Sequence, residues 1–289
     1  MDIEDSYSKY NKNYNEIEKS VFKEDEWVKI INYTKTQTDL EIILLPIDMK
    51  ALEFCLKNEE SIDSIEVHSI NFTNILFLRE VKKFSKSIIL GVGGRTLEEI
   101  MFVYNFLQKQ NLIFIYGFQS FPTNYYELNM SRINKLRAIF NVEIGYADHT
   151  SFEDHMRYNL IEYAYLNGSR IFEMHVVIDE GEKRIDYNSA INSKTFLKIR
   201  ERLERLIRIQ GYEIYYTLND SEEEYKNREK KIVAKRDIDR DDVFSEDNIW
   251  LKVSDEKSDF EQIMYKRIIG KIARHKIKQD KTINFSDIN

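Results

Sequence analysis

Cysteine is nearly absent from this chain, which has one, Cys55, among 289 residues. A single thiol excludes a framework of internal disulfides and is typical of a protein that works in a reducing compartment. Cys55 lies in the helical-looking run 51–56, between apolar neighbours. We therefore interpret it as a thiol buried in a core rather than as a nucleophile.

Long apolar segments and basic blocks are missing as well. No stretch approaches the roughly 18 uninterrupted apolar residues of a membrane span, and the acidic start of the chain lacks the apolar region of a secretion signal. The net charge is −7, and the lysines and arginines are interspersed with acids. The sequence therefore predicts a cytoplasmic protein whose partners are neither nucleic acids nor membranes.

What the sequence does contain is a repeated alternation of apolar runs and amphipathic segments. With 42% hydrophobic residues, the chain can bury a sizeable core, and its length predicts one large domain and one small one. Helical segments stand between the apolar runs, and in one of them, at 96–107, Thr96 and Glu99 predict a capping box. Strand-like runs recur at the spacing of β/α units, at residues 41–45, 64–67, 87–90, 112–116, 141–144 and 169–172. This order predicts an α/β fold with a parallel sheet, of the TIM-barrel type.

The predicted barrel is incomplete at its beginning. A closed (β/α)₈ barrel has eight strands, the pattern supplies six, and the residues in front of the first contain one predicted helix, at 24–33. The open sheet edges must then be covered either by this N-terminal segment or by another chain. The barrel domain is predicted to span residues 1–220, followed by a charged linker at 221–230 and a small β-rich domain at 231–289, with strand-like pieces at 231–234 and 267–272.

Two histidines follow the last two predicted strands. His149 lies in the motif Gly-Tyr-Ala-Asp-His-Thr at 145–150, and His175 ends Phe-Glu-Met-His at 172–175. In barrels of β/α units the chemistry lies at the carboxyl ends of the strands, so both imidazoles are expected at one site. Two neutral imidazoles that leave coordination positions open suit Mn²⁺ or a similar divalent ion. The alternative is that each histidine is a hydrogen-bonded residue beneath a loop.

Two further features of the sequence allow either a chemical or a structural interpretation. Asp148 stands beside one histidine, where it can orient an imidazole or cap the following helix. The glycine-rich run 91–94, which includes Gly93, follows a predicted strand. Its backbone N–H groups can cradle a phosphate, or the run can form a tight turn between strand and helix.

These motifs resemble those of the sialic acid synthase (N-acetylneuraminate synthase) family, in an order and at a spacing that extend over most of the chain. Residues 145–150 resemble the family's Gly-Tyr-Ser-Asp-His-Thr, 173–175 its Glu-Lys-His, and 121–123 its Tyr-Pro-Thr. The stretches 236–250 and 269–271 resemble its C-terminal antifreeze-like (SAF) domain.

The resemblance implies an enzyme that joins phosphoenolpyruvate to an N-acylmannosamine-type sugar for surface-glycan synthesis, with a divalent metal, Mn²⁺ being the expected ion. It implies that His149 and His175 are metal ligands and that they act in catalysis together with Asp148. The expected substrate-binding residues are Ser69, Gln119, Asp186, Ser189 and Gly93. In that family the small domain covers the active site of the other subunit, so a domain-swapped homodimer is implied.

Several positions depart from the family's pattern. Glu66 stands where the family has a phosphate-pocket lysine, and a like-charge pair at about 4 Å costs roughly 4 kcal/mol at an effective dielectric constant of 20. Ala147, Phe121 and Val253 replace a serine, a tyrosine and an arginine. The sequence therefore supports two hypotheses: an active synthase, and a catalytically degenerate member that binds a sugar or a partner protein. A two-histidine metal hydrolase is disfavoured because no further cluster of histidines or carboxylates provides a second metal site.

Overall fold

The chain divides into two compact units, Met1–Gly211 and Tyr212–Asn289. The computed structural model describes residues 3–108, 110–118, 120, 122–183, 186–211 and 216–289. Within these ranges, no helix is long and apolar enough to cross a membrane.

The first unit is built on a parallel sheet of six strands that curves into a half-barrel. The strands are β1 (Ile43–Leu44), β2 (Ser64–Val67), β3 (Ser87–Gly91), β4 (Leu112–Tyr116), β5 (Glu143–Asp148) and β6 (Phe172–Met174). They lie in chain order, each hydrogen-bonded to the next, which is the order that successive β/α crossovers produce. This α/β half-barrel agrees with the predicted incomplete TIM-type barrel.

Nine α-helices are described in the first unit, most of them between successive strands. They are α1 (Ile3–Ser6), α2 (Tyr14–Lys19), α3 (Glu24–Gln37), α4 (Met49–Lys57), α5 (Ile75–Val81), α6 (Leu97–Leu107), α7 (Ser131–Phe140), α8 (Met156–Leu166) and α9 (Ser193–Gln210). The predicted capping box of α6 is confirmed, because the side chains of Thr96 and Glu99 each accept from the other's backbone N–H. Cys55, on α4, is buried as predicted, and burial raises the pKa of its thiol to about 12.

Alternate residues of the strands pack on opposite faces of the sheet. Ile65 and Val67 of β2 lie fully buried in the large core beneath the helices. Ile115 and Ala147 belong instead to a small apolar cluster on the other, concave face. Because side chains alternate along a strand, Glu66 projects to the concave face, between two residues that project away from it.

The last two strands begin later than the sequence predicts. The predicted runs are 141–144 and 169–172, whereas β5 and β6 start at Glu143 and Phe172. Asn141 ends α7 in the left-handed conformation, with φ 51°, and cannot join an extended strand. Ser169 still belongs to the turn after α8, since its N–H donates to the Ala164 carbonyl. The later strands place each histidine directly after a strand end.

The N-terminal segment contacts the β1 side of the sheet without adding a strand in the part that is described. The predicted helix at 24–33 is confirmed as α3, whose Ile31 packs with Phe54 of α4. The Ser6 hydroxyl donates to the Ile47 carbonyl just beyond β1, at 3.1 Å. β1 itself has two residues, and Ile43 remains 49% exposed. The segment therefore buttresses this side of the sheet but leaves the edge strand partly open.

The second unit has its own core and a small antiparallel sheet. Its elements are α10 (Asp220–Lys226), β7 (Lys231–Ala234), β8 (Ile249–Lys252) and α11 (Tyr265–Ile268). Ile232, Phe244 and Ile249 are fully buried in this core. The strand predicted at 231–234 is confirmed as β7, which pairs with β8. The identification of this unit as an antifreeze-like domain stays a prediction.

Two details of this region differ from the sequence prediction. Most of the charged run at 221–230 folds as α10, because Asn219 and Glu222 form a capping box at its start, and the division of the chain falls after Gly211 instead. The strand predicted at 267–272 is wrong for residues 267–270. Arg267 and Ile268 end α11, and Gly270 turns the chain with φ 84°.

Candidate functional site

His149 and His175 lie side by side at the carboxyl ends of two neighbouring strands. The parallel register aligns Asp148 of β5 with Met174 of β6, so the two histidines follow at matching positions. Their ring centroids are 4.9 Å apart, with the ring planes inclined at 61°. The predicted convergence of the two imidazoles is thus present in the fold.

The surroundings keep the His149 imidazole neutral. Its side chain is almost completely buried, and burial lowers its pKa to about 4, helped by the charge of His175 and opposed by a hydrogen bond to the Ala147 backbone. Neutral imidazole is the form that coordinates metal ions. At neutral pH this histidine therefore offers a nitrogen lone pair rather than a positive charge.

Two carboxylates stand near the pair of imidazoles. Glu173 Oε1 lies 4.0 Å from His149 Nε2, and Asp186 Oδ2 lies 3.9 Å from His175 Nδ1. Across the part of the chain that the structure describes, no three histidine, cysteine or acidic side chains come together as a ready metal cluster. The donor set is therefore two imidazoles with carboxylates further out. Such a mixed nitrogen and oxygen set fits an ion of the Mn²⁺ type that keeps open positions.

Asp148 is tied to the turn after β5. Its Oδ1 accepts from the Thr150 hydroxyl at 2.7 Å, from the Thr150 N–H at 3.1 Å and from the Tyr146 hydroxyl at 3.4 Å. The residue before α8 is His155, so Asp148 does not cap that helix. Burial raises the pKa of Asp148, and the charge of Arg157 opposes this shift. These contacts give Asp148 a structural place beneath His149, and its catalytic role stays a prediction.

The backbone of His149 is fixed from two directions. Its carbonyl oxygen accepts from the Ser189 hydroxyl at 2.9 Å and from the Thr123 N–H at 2.8 Å. Ser189 is buried, with 1% of its surface exposed. Ser189, which the sequence predicts as a substrate-binding residue, is therefore brought to the site, but its hydroxyl donates to the protein backbone.

Two further predicted substrate contacts, Ser69 and Gly93, lie further along the same edge of the sheet. Ser69 begins a short 3₁₀ turn, Ser69–Asn71, directly after β2 and His68. At Gly93 a Cβ would lie 1.5 Å from the Gly117 carbonyl oxygen, so only glycine fits this close approach of two backbones. Gly94 has φ 69°, which favours the tight-turn interpretation of the glycine-rich run. A phosphate contact at Gly93 stays a prediction.

Four family positions complete the placement. Gln119 and Phe121, a predicted substrate contact and a departure from the family's tyrosine, lie outside the described residues. Val253 belongs to the second unit, where its side chain is exposed. Ala147 contributes to the small apolar cluster of the concave face.

Glu66 places a carboxyl group on the concave face. Burial, together with the charge of Glu173, raises the pKa of Glu66 to about 8. The pKa of Glu173 is also raised by burial. An ideal Cβ at Gly91 would lie 4.0 Å from Glu66 Oε1, which places this carboxyl group beside the start of the glycine-rich turn.

Arg157 is a residue of the site region that the sequence did not reveal. It lies on α8 with 1% of its surface exposed, and its Nη2 donates to the Thr150 carbonyl at 2.5 Å and is 3.4 Å from the Ser189 carbonyl. Asp148 Oδ2 lies 3.7 Å from the same nitrogen. No sequence pattern distinguishes such a buried arginine from a solvated one, because its partners come from two separate parts of the chain, 148–150 and 189.

Comparison with known proteins now adds to this geometry. The model of the NeuB family matches residues 2–215. An N,N'-diacetyllegionaminic acid synthase of Campylobacter jejuni is 24% identical over 250 residues, which cover 85% of this chain and 72% of that protein.

Two solved structures share the fold. One, of a protein assigned to spore coat polysaccharide biosynthesis (protein E) from Chromobacterium violaceum, superposes with a TM-score of 0.84 at 19% identity, over 97% of this chain and 83% of the other. The other, an N-acetylneuraminic acid (sialic acid) synthetase from Leptospira borgpetersenii, gives a TM-score of 0.68 at 22% identity, over 77% of this chain and 76% of that one. At these identities the likeness concerns the fold alone.

Proposed function

The chain belongs to the NeuB family, and from that premise we propose that it is a nonulosonic acid synthase, which joins phosphoenolpyruvate to an N-acylated amino sugar of the N-acylmannosamine type. The similarity to a relative named as an N,N'-diacetyllegionaminic acid synthase supports this class of product. The choice of sugar depends on loops at the mouth of the half-barrel, part of which lies outside the described residues.

The observation that carries the proposal is the pairing of His149 with His175, whose ring centroids are 4.9 Å apart. These two residues would hold a divalent ion, Mn²⁺ being the expected one, which when bound would supply a Lewis acid for the sugar carbonyl. His149 serves this purpose at neutral pH because it is uncharged there. Thr123 and Ser189 hold the backbone of His149 in place, so the imidazole is fixed before any ligand arrives.

The neighbouring polar groups suit the substrates. Asp186, which the resemblance to the family implies as a substrate-binding residue, lies 3.9 Å from His175. Its carboxylate would accept hydrogen bonds from the hydroxyl groups of the sugar. Ser69 and the turn at Gly93 stand at the carboxyl ends of β2 and β3. There they offer a hydroxyl and backbone N–H groups to phosphoenolpyruvate.

A second candidate function is favoured by one specific observation. Glu66 and Glu173 place two carboxyl groups with raised pKa values on the concave face, at the place where the family pattern has a lysine for phosphate. A protein with this face would retain the metal site and bind a sugar or a partner protein, without catalysing the condensation. Assembly into a domain-swapped homodimer and a cytoplasmic location are parts of either proposal.

The first experiment is a calorimetric titration of the full chain with Mn²⁺, followed by phosphoenolpyruvate. His149→Ala and His175→Ala should abolish metal binding, whereas His155→Ala, at an exposed histidine of the same region, should leave it unchanged. Release of inorganic phosphate is then followed with phosphoenolpyruvate and a set of N-acylated amino sugars.

Three outcomes decide between the proposals. Binding of both ligands with sugar-dependent phosphate release supports the synthase. Metal binding without affinity for phosphoenolpyruvate favours the second candidate. Absence of metal binding, or binding that survives both histidine substitutions, contradicts the metal site on which both rest.

A further inference from the structure

A cationic cavity lies between α6 and α7, apart from the histidine site. Its volume is about 330 Å³, within the range in which small organic ligands bind. Three of its lining residues are cationic: Arg95, Arg132 and Lys135. Leu97, Ile100, Leu136 and Ile139 give it an apolar wall. The described residues that line it include no acid, which is unusual in a chain with a net charge of −7.

Arg95 is held in place but not saturated. Its Nη2 donates to the Ser69 carbonyl, and its guanidinium lies over the Phe72 ring, 5.2 Å from the centroid. Glu99 approaches Nη1 at 3.5 Å, while the other oxygen of Glu99 accepts from the Thr96 N–H. The Nε–H is buried and has no hydrogen-bond partner among the described residues. A buried donor without a partner is costly, so Arg95 is an incompletely satisfied cation on the wall of this cavity.

Arg132 and Lys135 face the same cavity from α7. Tyr116, at the end of β4, lines the cavity too, and Arg132 lies close enough to its hydroxyl to oppose the rise in pKa that burial causes there. No carboxylate of the described residues is recorded within 4.0 Å of Arg132 or Lys135, whereas the surface lysines Lys35 and Lys83 both have acidic partners. Three cations, of which Arg95 is the one with a recorded carboxylate nearby among the described residues, therefore line one space together with an apolar wall.

From this arrangement we propose that the cavity is a binding site for a small organic phosphate, whose charged group contacts Arg95, Arg132 and Lys135 and whose apolar body lies on Leu97 and Ile139. Arg and Lys side chains with hydrogen-bonding nitrogens are the groups that recognise phosphate. The apolar wall favours a monoester with a hydrophobic body over free phosphate.

The site has a direct connection to the mouth of the half-barrel. Arg95, which would contact the ligand, also holds the Ser69 carbonyl at the carboxyl end of β2. Val92, another lining residue, directly precedes Gly93, whose backbone approaches Gly117 so closely that a Cβ would collide with it. A ligand in this cavity therefore touches the residues that shape the glycine-rich turn.

The test is calorimetric titration of the full chain, without added metal, with phenyl phosphate and with inorganic phosphate. The wild-type chain should bind phenyl phosphate more tightly than inorganic phosphate. Arg132→Gln with Lys135→Gln removes two exposed cations from the cavity and should weaken phenyl phosphate binding by roughly tenfold or more. The matched control is Arg79→Gln with Lys198→Gln, which removes two exposed cations elsewhere and should leave binding within about twofold of the wild type.

Each other outcome contradicts the proposal. Equal weakening in both double variants would show a general charge effect. Binding that survives Arg132→Gln with Lys135→Gln but is lost in His149→Ala would assign the phosphate to the histidine site. No binding of phenyl phosphate by the wild-type chain at millimolar concentration would also overturn it. None of these results depends on synthase activity, so the failure of this proposal and that of the proposed function are distinguishable.

Discussion

Asp148 and Arg157 form an ion pair, with 3.7 Å between Oδ2 and Nη2, in which each side chain exposes 1% of its surface. Arg157 also donates to the Thr150 carbonyl, and Asp148 accepts from the Thr150 hydroxyl. The two residues on either side of His149 are thereby held by one buried arginine. The position of the imidazole depends on this pair, although neither member of the pair needs to touch a substrate.

Replacement of Asp148 should therefore destabilise the first unit strongly. Asp148→Asn leaves the Arg157 guanidinium buried without its counter-charge, and arginine cannot release its proton to become neutral. Breaking one half of a buried pair typically costs about 3–5 kcal/mol, which urea denaturation would measure. Lys83→Gln, in an exposed pair with Glu80, is the control and should cost less than about 1 kcal/mol. A loss at Asp148→Asn as small as that of the control would contradict the structural role assigned to the pair.

The sequence predicts the elements that depend on local pattern and misses the contacts that join distant segments. Strands at 64–67 and 112–116 are found at their predicted positions, because each is a short run rich in β-branched or aromatic residues, bounded by polar ones. The convergence of His149 and His175 follows from the same pattern, since parallel strands end at one edge of the sheet. The predicted start of β5 at Asn141 is wrong because this residue takes a left-handed conformation at the end of the preceding helix.

The missed contacts have a common physical cause. Arg157 donates to the Thr150 carbonyl and lies close to the Ser189 carbonyl, which is 32 residues away in the chain. The Ser189 hydroxyl reaches His149 across 40 residues. Such partners are brought together by the curvature of the sheet, and no local spacing in the sequence encodes it. The mutual influence of Glu66 and Glu173 arises in the same way, from two strands that are not neighbours in the sheet.

The raised pKa of Glu66 predicts a pH-dependent stability. A carboxyl group whose pKa is near 4.5 in the unfolded chain and about 8 in the folded one keeps its proton longer in the folded state. Its contribution is fully favourable below pH 4.5 and is lost as the pH rises towards 8 and beyond. Wild type should therefore lose stability relative to Glu66→Gln between pH 5 and pH 9, by about 1–2 kcal/mol after allowance for solvent near the group. Denaturation curves at several pH values measure this difference, and parallel pH profiles of the two proteins would refute it.

The same residue predicts how phosphoenolpyruvate binding can be restored. Glu66→Lys converts a repulsive contact into the cation that the family pattern has at this position, and it should lower the Kd for phosphoenolpyruvate by at least about tenfold in the presence of Mn²⁺. Glu66→Gln removes the negative charge without adding a positive one and should give an intermediate Kd. Calorimetry at pH 9, above the pKa of about 8 at which Glu66 ionises, compares the three proteins. An affinity of Glu66→Lys no better than that of Glu66→Gln would mean that the phosphate group does not lie near this residue.

The close contact at Gly93 predicts which glycine of the turn is indispensable. Gly93→Ala would place a methyl group 1.5 Å from the Gly117 carbonyl oxygen, so the backbone of β3 or of the β4 end must shift, and the first unit should lose several kcal/mol, about 3 or more. Gly94→Ala meets no atom within 4 Å and costs only the strain of a left-handed backbone, about 1–2 kcal/mol. Thermal unfolding of both variants separates the two effects. If Gly93→Ala were as mild as Gly94→Ala, the backbones would not approach this closely, and the main role left for Gly93 would be its predicted phosphate contact.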